Sequence, residues 1–101
     1  PADRVMAIAA EQKRRGADVI KLVTAADDMA QQIENLRIVT LLKNELDIPF
    51  LFLSGGESRI LRRIGGEVGC CMYLCVHEYD ELATPAQPLI SEVRAIRDNL
   101  R

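Results

Sequence analysis

Gly16-Ala17-Asp18-Val19-Ile20-Lys21-Leu22-Val23-Thr24 is the stretch on which the fold turns. Between Val19 and Val23 every residue except Lys21 is apolar, on both parities. A half-buried strand alternates apolar with polar residues, whereas an uninterrupted run predicts a parallel strand covered on both faces. Gly16 is a natural helix stop. Upstream of it, Val5, Ile8 and Ala9 form an apolar stripe behind Asp3, a plausible N-cap, so a helix over residues 3–15 leads into the strand.

The same grammar continues downstream. Asp27 and Asp28 open a second helix with Met29, Ile33, Leu36 and Val39 on one face, closing near Leu46. Residues 48–53 read as a second strand, with Pro49 tolerated at its beginning. Ser54-Gly55-Gly56-Glu57-Ser58 is a loop, and Ser58 caps a short helix through Ile60, Leu61 and Ile64 that Gly65-Gly66 ends. Residues 70–76 read as a third strand and residues 77–88 as a loop. Ile90, Val93, Ile96 and Leu100 mark a last amphipathic helix.

The order α-β-α-β-α-β-α predicts an α/β fold of alternating βα units with parallel strands and right-handed crossovers. A (β/α)8 barrel takes about 250 residues. The 101 residues therefore read as one segment, 1–101, made of a helix and three βα units. Three parallel strands leave a face and two edges open, and open edges pair with other chains. Association is expected, either homo-oligomeric or with a missing N-terminal half.

Composition narrows the function. With 49% hydrophobic residues the chain can build a core, and a net charge of -2 with scattered Lys and Arg argues against nucleic acid. The longest apolar run, residues 48–53, is far short of a membrane span, and no signal-peptide pattern opens the chain, so the expected compartment is the cytoplasm. Cys70, Cys71 and Cys75 are odd in number and sit in an apolar run, which reads as buried small side chains rather than metal ligands. His77 completes no metal set with them.

Chemistry in parallel sheets gathers at the carboxyl ends of the strands. Three features are expected there. Lys21 is an ammonium in an apolar strand, which either snorkels to water from an edge or loses its proton on burial and becomes a nucleophile. The Gly55-Gly56 loop before a helix is either a plain turn or an anion site, with Arg59, Arg62 and Arg63 just beyond. Thr84-Pro85-Ala86-Gln87-Pro88 is either a linker or a stiffened loop that presents the Gln87 amide.

Taken together, these residues resemble type I 3-dehydroquinate dehydratase, a (β/α)8 barrel enzyme of the shikimate pathway. Gly16-Ala17-Asp18-Val19-Ile20-Lys21 is similar to the family's stretch around its Schiff-base lysine, which falls on Lys21. Arg62-Arg63-Ile64-Gly65-Gly66-Glu67 is similar to the motif holding the substrate-carboxylate arginine, at Arg63. Ala83-Thr84-Pro85-Ala86-Gln87 is similar to the lid loop, with the lid glutamine at Gln87 and Thr84 beside the position of the lid serine, here Ala83.

The resemblance runs along the whole chain and corresponds to the C-terminal part of the barrel. It implies a lyase that dehydrates 3-dehydroquinate to 3-dehydroshikimate through an imine on Lys21, with a small hydroxy acid as substrate and no metal or dissociable cofactor. The strand end at Leu53-Ser54-Gly55 departs from the family pattern. The family's acid/base histidine lies on a strand before the first helix, and His77 does not match it. A non-catalytic ligand-binding descendant, another lysine-dependent aldolase or lyase, and a generic α/β interaction domain stand as the other readings.

Overall fold

The structure, a computed structural model, describes residues 2–56, 59–82 and 86–100. Six elements follow in the order α1 (Ala2–Arg14), β1 (Ile20–Ala25), α2 (Met29–Glu45), β2 (Phe50–Gly55), α3 (Ile60–Val68) and α4 (Ile90–Asn99). β1 and β2 pair in parallel, with Ile20 opposite Phe50, Lys21 opposite Leu51 and Thr24 opposite Ser54. α2 is the crossover between them. Its start is the expected one: the Asp28 carboxylate accepts the Gln31 backbone N–H at 2.8 Å, and the Gln31 side chain reaches back to the Asp27 N–H at 2.7 Å.

Register decides which side chains share a face. Phe50, Phe52 and Ser54 lie on one side of β2 with Ile20 and Leu22 of β1, and α2 covers this side through Asn35, Ile38, Val39 and Leu42. The opposite side carries Lys21, Val23, Leu51 and Leu53. Leu51 and Leu53 are buried, sharing a small void with Met72, Tyr73 and Leu74. Lys21 and Val23 are exposed. β1 is thus covered on one face, where its apolar run predicts two. Among the described residues, Met72, Tyr73 and Leu74 lie against β2 rather than β1.

Three further expectations are corrected. The stripe on α2 is not Met29, Ile33, Leu36 and Val39: Met29 and Ile33 are exposed, and the buried row is Asn35, Ile38, Val39 and Leu42. The helix has apolar residues on two stripes, and the buried one contains a polar residue. Asn35 Nδ2 donates to Ser54 Oγ at 2.8 Å, so two buried polar groups satisfy each other between α2 and β2. Asn35→Ala leaves the Ser54 hydroxyl unpartnered in the core and is expected to cost about 1–3 kcal/mol. Urea denaturation of the variant against Asn44→Ala, on the exposed side of the same helix, measures it.

Gly65-Gly66 does not end α3. The helix runs through both to Val68, and Gly69 terminates it at φ 140, a conformation glycine adopts without strain. The two helical glycines serve close packing instead. A Cβ on Gly66 would lie 2.4 Å from the Tyr73 ring, and one on Gly65 would lie 3.4 Å from Cys70 Sγ.

Residues 70–76 form no third strand of the sheet. The Cys71 N–H donates to the Phe50 carbonyl at 2.9 Å, and Val76 makes an isolated parallel bridge with Leu89 just before α4. An apolar run favours extended backbone without supplying the neighbour that completes a ladder. The cysteines separate accordingly: Cys70 is buried with its thiol toward the Phe52 carbonyl, Cys75 is half-buried and Cys71 is exposed. Burial pushes the Cys70 thiol above its usual range.

Candidate active site

Lys21 is the second of the six residues of β1, so it sits toward the start of the strand rather than at its carboxyl end. Its side chain lies on the exposed side of β1. Among the described residues it has no hydrogen-bond or ion-pair partner. The other two lysines differ from it in position: Lys13 is tied to Asp47, and Lys43 lies in the last turn of α2 against Gly69. Lys21 is the amine that projects from the sheet.

The carboxyl end of β2 is ringed by arginine. Arg62 Nε donates to the Ser54 carbonyl at 2.7 Å, Arg59 donates to the Gly56 carbonyl at 2.9 Å, and Arg63 donates to the Arg59 carbonyl at 3.0 Å. All three reach back to backbone carbonyls, although their helical spacing points them in different directions. Burial, followed by the charge of Arg59, holds the Arg62 guanidinium below its ordinary range. The Ser54 hydroxyl, at the end of the same strand, is committed to Asn35.

Arg63 also meets a carboxylate. Its Nε donates to Glu92 Oε2 of α4 at 3.3 Å, and its side chain is only 20% exposed. Glu92 stands in the first turn of α4 and accepts the Leu89 N–H at 3.0 Å, which satisfies one of the helix's orphan donors. That bond, followed by the charge of Arg63, holds the Glu92 carboxyl below the usual glutamate range. Tyr79 completes the group. Its hydroxyl donates to the Gln87 carbonyl at 2.9 Å and lies 3.5 Å from Glu92 Oε1.

The structure therefore gathers Arg63, Glu92, Tyr79 and the Gln87 carbonyl into one group, and none of these hydrogen bonds includes Lys21 of β1. Gln87 lines a shallow pocket of about 340 Å³ with Val76, His77, Glu78, Asp80 and Leu82. Thr84, the neighbour of the lid-serine position, lies outside the described residues, as do Glu57 and Ser58 of the glycine loop. Among the described residues, no group of three or more His, Cys, Asp or Glu side chains could hold a metal ion. No described helix is long and apolar enough to cross a membrane.

Sequence reasoning missed Glu92 and Tyr79. Leu89-x-x-Glu92 is half of a capping box, lacking the acceptor side chain at the N-cap, and a search for a Glu at the third helical position would have found Glu92. Its pairing with Arg63, 29 residues away, has no local signature.

Parallel strands joined by a crossover helix, with a lysine on the exposed side of β1 and arginines at a strand end, are the arrangement expected of a segment of a βα barrel. Comparison with solved structures agrees. The described fold is similar to the crystal structure of 3-dehydroquinate dehydratase from Geobacillus kaustophilus HTA426, with a TM-score of 0.85 at 24% identity over 98% of this chain and 38% of that one. It is also similar to type I 3-dehydroquinate dehydratase from Clostridium difficile, solved with covalently modified comenic acid, with a TM-score of 0.82 at 17% identity over 98% of this chain and 39% of that one. The chain thus spans well under half the length of these structures.

The family profile described as Type I 3-dehydroquinase matches residues 1–100, and the chain belongs to that family. No curated protein sequence matches it.

Proposed function

We propose that the chain carries part of the active site of a 3-dehydroquinate dehydratase-like lyase in which Lys21 is the Schiff-base nucleophile. The observation that supports it is the family match over residues 1–100, with Lys21 an amine on the open side of β1 that has no partner among the described residues. Family membership supplies the substrate class, a cyclic hydroxy-keto acid.

In this reading neutral Lys21 Nζ attacks the C3 ketone, and loss of water forms an imine. Protonated, the imine withdraws electrons from C2, so a base can take the C2 proton and leave an enamine. The enamine expels the C1 hydroxyl as water when it takes up a proton. Hydrolysis of the remaining imine releases 3-dehydroshikimate and restores the amine. Arg63 pairs with the substrate carboxylate, Gln87 hydrogen-bonds its hydroxyls, and Thr84 stands beside the position of the lid serine. The lysine performs the carbonyl chemistry, so the reading requires no metal or dissociable cofactor. Covering the open side of β1, by further βα units or by a second copy of the chain, encloses the imine and excludes water from it.

Borohydride reduction in the presence of 3-dehydroquinate tests the proposal. The expected result is a single added mass, mapped by peptide mass spectrometry to the segment bearing Lys21 and absent from Lys21→Arg. Addition at Lys13 or Lys43 instead, or no addition at all, overturns it. Binding of the acid without any adduct identifies a ligand-binding module rather than a lyase.

A further inference from the structure

We infer that Glu92 is a positioning residue for Arg63, and that Tyr79 extends its hold to the segment carrying Gln87. The inference rests on the carboxylate role proposed for Arg63 and adds the residues that fix its orientation. An arginine side chain has several rotatable bonds, and ordering them on binding costs affinity unless the free protein has already ordered them.

Here the ordering is built in. Arg63 Nε donates to Glu92 Oε2 at 3.3 Å and a terminal nitrogen donates to the Arg59 carbonyl at 3.0 Å. A guanidinium has five N–H groups. Two are engaged within the described residues, and the three that remain all belong to the terminal nitrogens, the edge that accepts a carboxylate in bidentate fashion. The pair restrains Nε and leaves three terminal N–H groups without a partner among the described residues.

Glu92 is itself held. It accepts the Leu89 N–H at 3.0 Å, and the first turn of α4 favours its negative charge. The Tyr79 hydroxyl lies 3.5 Å from the same carboxylate and donates to the Gln87 carbonyl at 2.9 Å. One carboxylate therefore ties Arg63 to the start of α4, and Tyr79, beside that carboxylate, holds the Gln87 carbonyl. Joining the two helices does not require it, because Arg97 of α4 also faces Glu67 of α3, at 3.8 Å.

Glu92→Gln keeps an oxygen for the Leu89 N–H while removing the charge that holds Arg63. Tyr79→Phe removes one hydroxyl. Arg97→Ala removes the outer contact between the helices and serves as the structural control. Two quantities are measured in the 101-residue chain: the NMR signal of the Arg63 Nε–H, and the affinity for 3-dehydroshikimate by titration.

The wild type is expected to show a slowly exchanging Nε–H signal that Glu92→Gln loses. Affinity should fall about five- to tenfold in Glu92→Gln and about twofold in Tyr79→Phe, and stay unchanged in Arg97→Ala. Should Glu92→Gln fail to fold, Tyr79→Phe carries the test. Wild-type affinity in the folded variants overturns the inference, and so does a wild-type chain that binds no carboxylate.

Borohydride trapping at Lys21 separates the two readings. Trapping with unchanged affinity in Glu92→Gln sinks the positioning role and leaves the lyase standing. A drop in carboxylate affinity without trapping sinks the lyase and leaves Arg63 positioned for an acid of another kind.

Discussion

Residues 1–101 by themselves are expected to convert 3-dehydroquinate to 3-dehydroshikimate about 10²–10⁴-fold more slowly than a complete barrel of the family, the factor a positioned acid/base group contributes. Two features of the structure lead to this. Lys21 is exposed on β1, so water has free access to an imine formed there. No described side chain hydrogen-bonds to Lys21. His77 lines the shallow pocket together with Gln87. The measurement is the ultraviolet absorbance of the product, whose ketone is conjugated with the new double bond. Turnover by the purified chain at the rate of a complete enzyme would show that the 101 residues hold an acid/base group of their own.

Phe52→Ala is expected to cost about 3–5 kcal/mol, the range for truncating a buried aromatic side chain. Phe52 is 1% exposed, at the centre of β2, in the cluster formed by Ile20, Leu22, Ile38, Val39 and Leu42. Its ring lies on the side that joins the sheet to α2, so truncation leaves a cavity between the two layers. A small domain has about 5–15 kcal/mol of stability, and this loss removes much of it. Urea denaturation followed by circular dichroism reads the change in midpoint. Leu82→Ala is the comparison. Leu82 is a large apolar side chain that is 89% exposed, and its loss is expected to fall within about 0.5 kcal/mol. Equal midpoints for the two variants would place the core elsewhere.

Local pattern made much of the fold legible. The Asp28 cap, the positions of β1 and β2 and the start of α4 are each written in a few neighbouring residues. The errors came where one pattern is compatible with two structures. Two glycines in succession read as a helix stop, but inside α3 they make room for Cys70 and Tyr73. The apolar run at residues 70–76 read as a strand, but extended backbone becomes a strand only beside a partner. Apolar counting on α2 passed over Asn35, because a polar residue is accepted in a core only when its partner is known, and Ser54 lies 19 residues away.

The candidate site divides in the same way. Lys21, Arg63 and Gln87 were visible as residue types in short motifs, together with Thr84, whose surroundings lie outside the described residues. Their surroundings were not visible. Nothing near Arg63 in the chain announces Glu92, and nothing near Gln87 announces Tyr79 as a link between them.

The sequence by itself determined the alternation of helices and strands, hence the parallel α/β class, because hydrophobic period and turn residues act over a few positions. It also determined that a lysine stands on the first strand. Only the tertiary structure decided that β1 is open on its Lys21 side and packed on its Ile20 side, since the register between β1 and β2 and the cover from α2 set the buried face. It also decided that Arg63 is held by a carboxylate from another helix. Such pairings depend on where the folded backbone brings distant residues, and no local period encodes that.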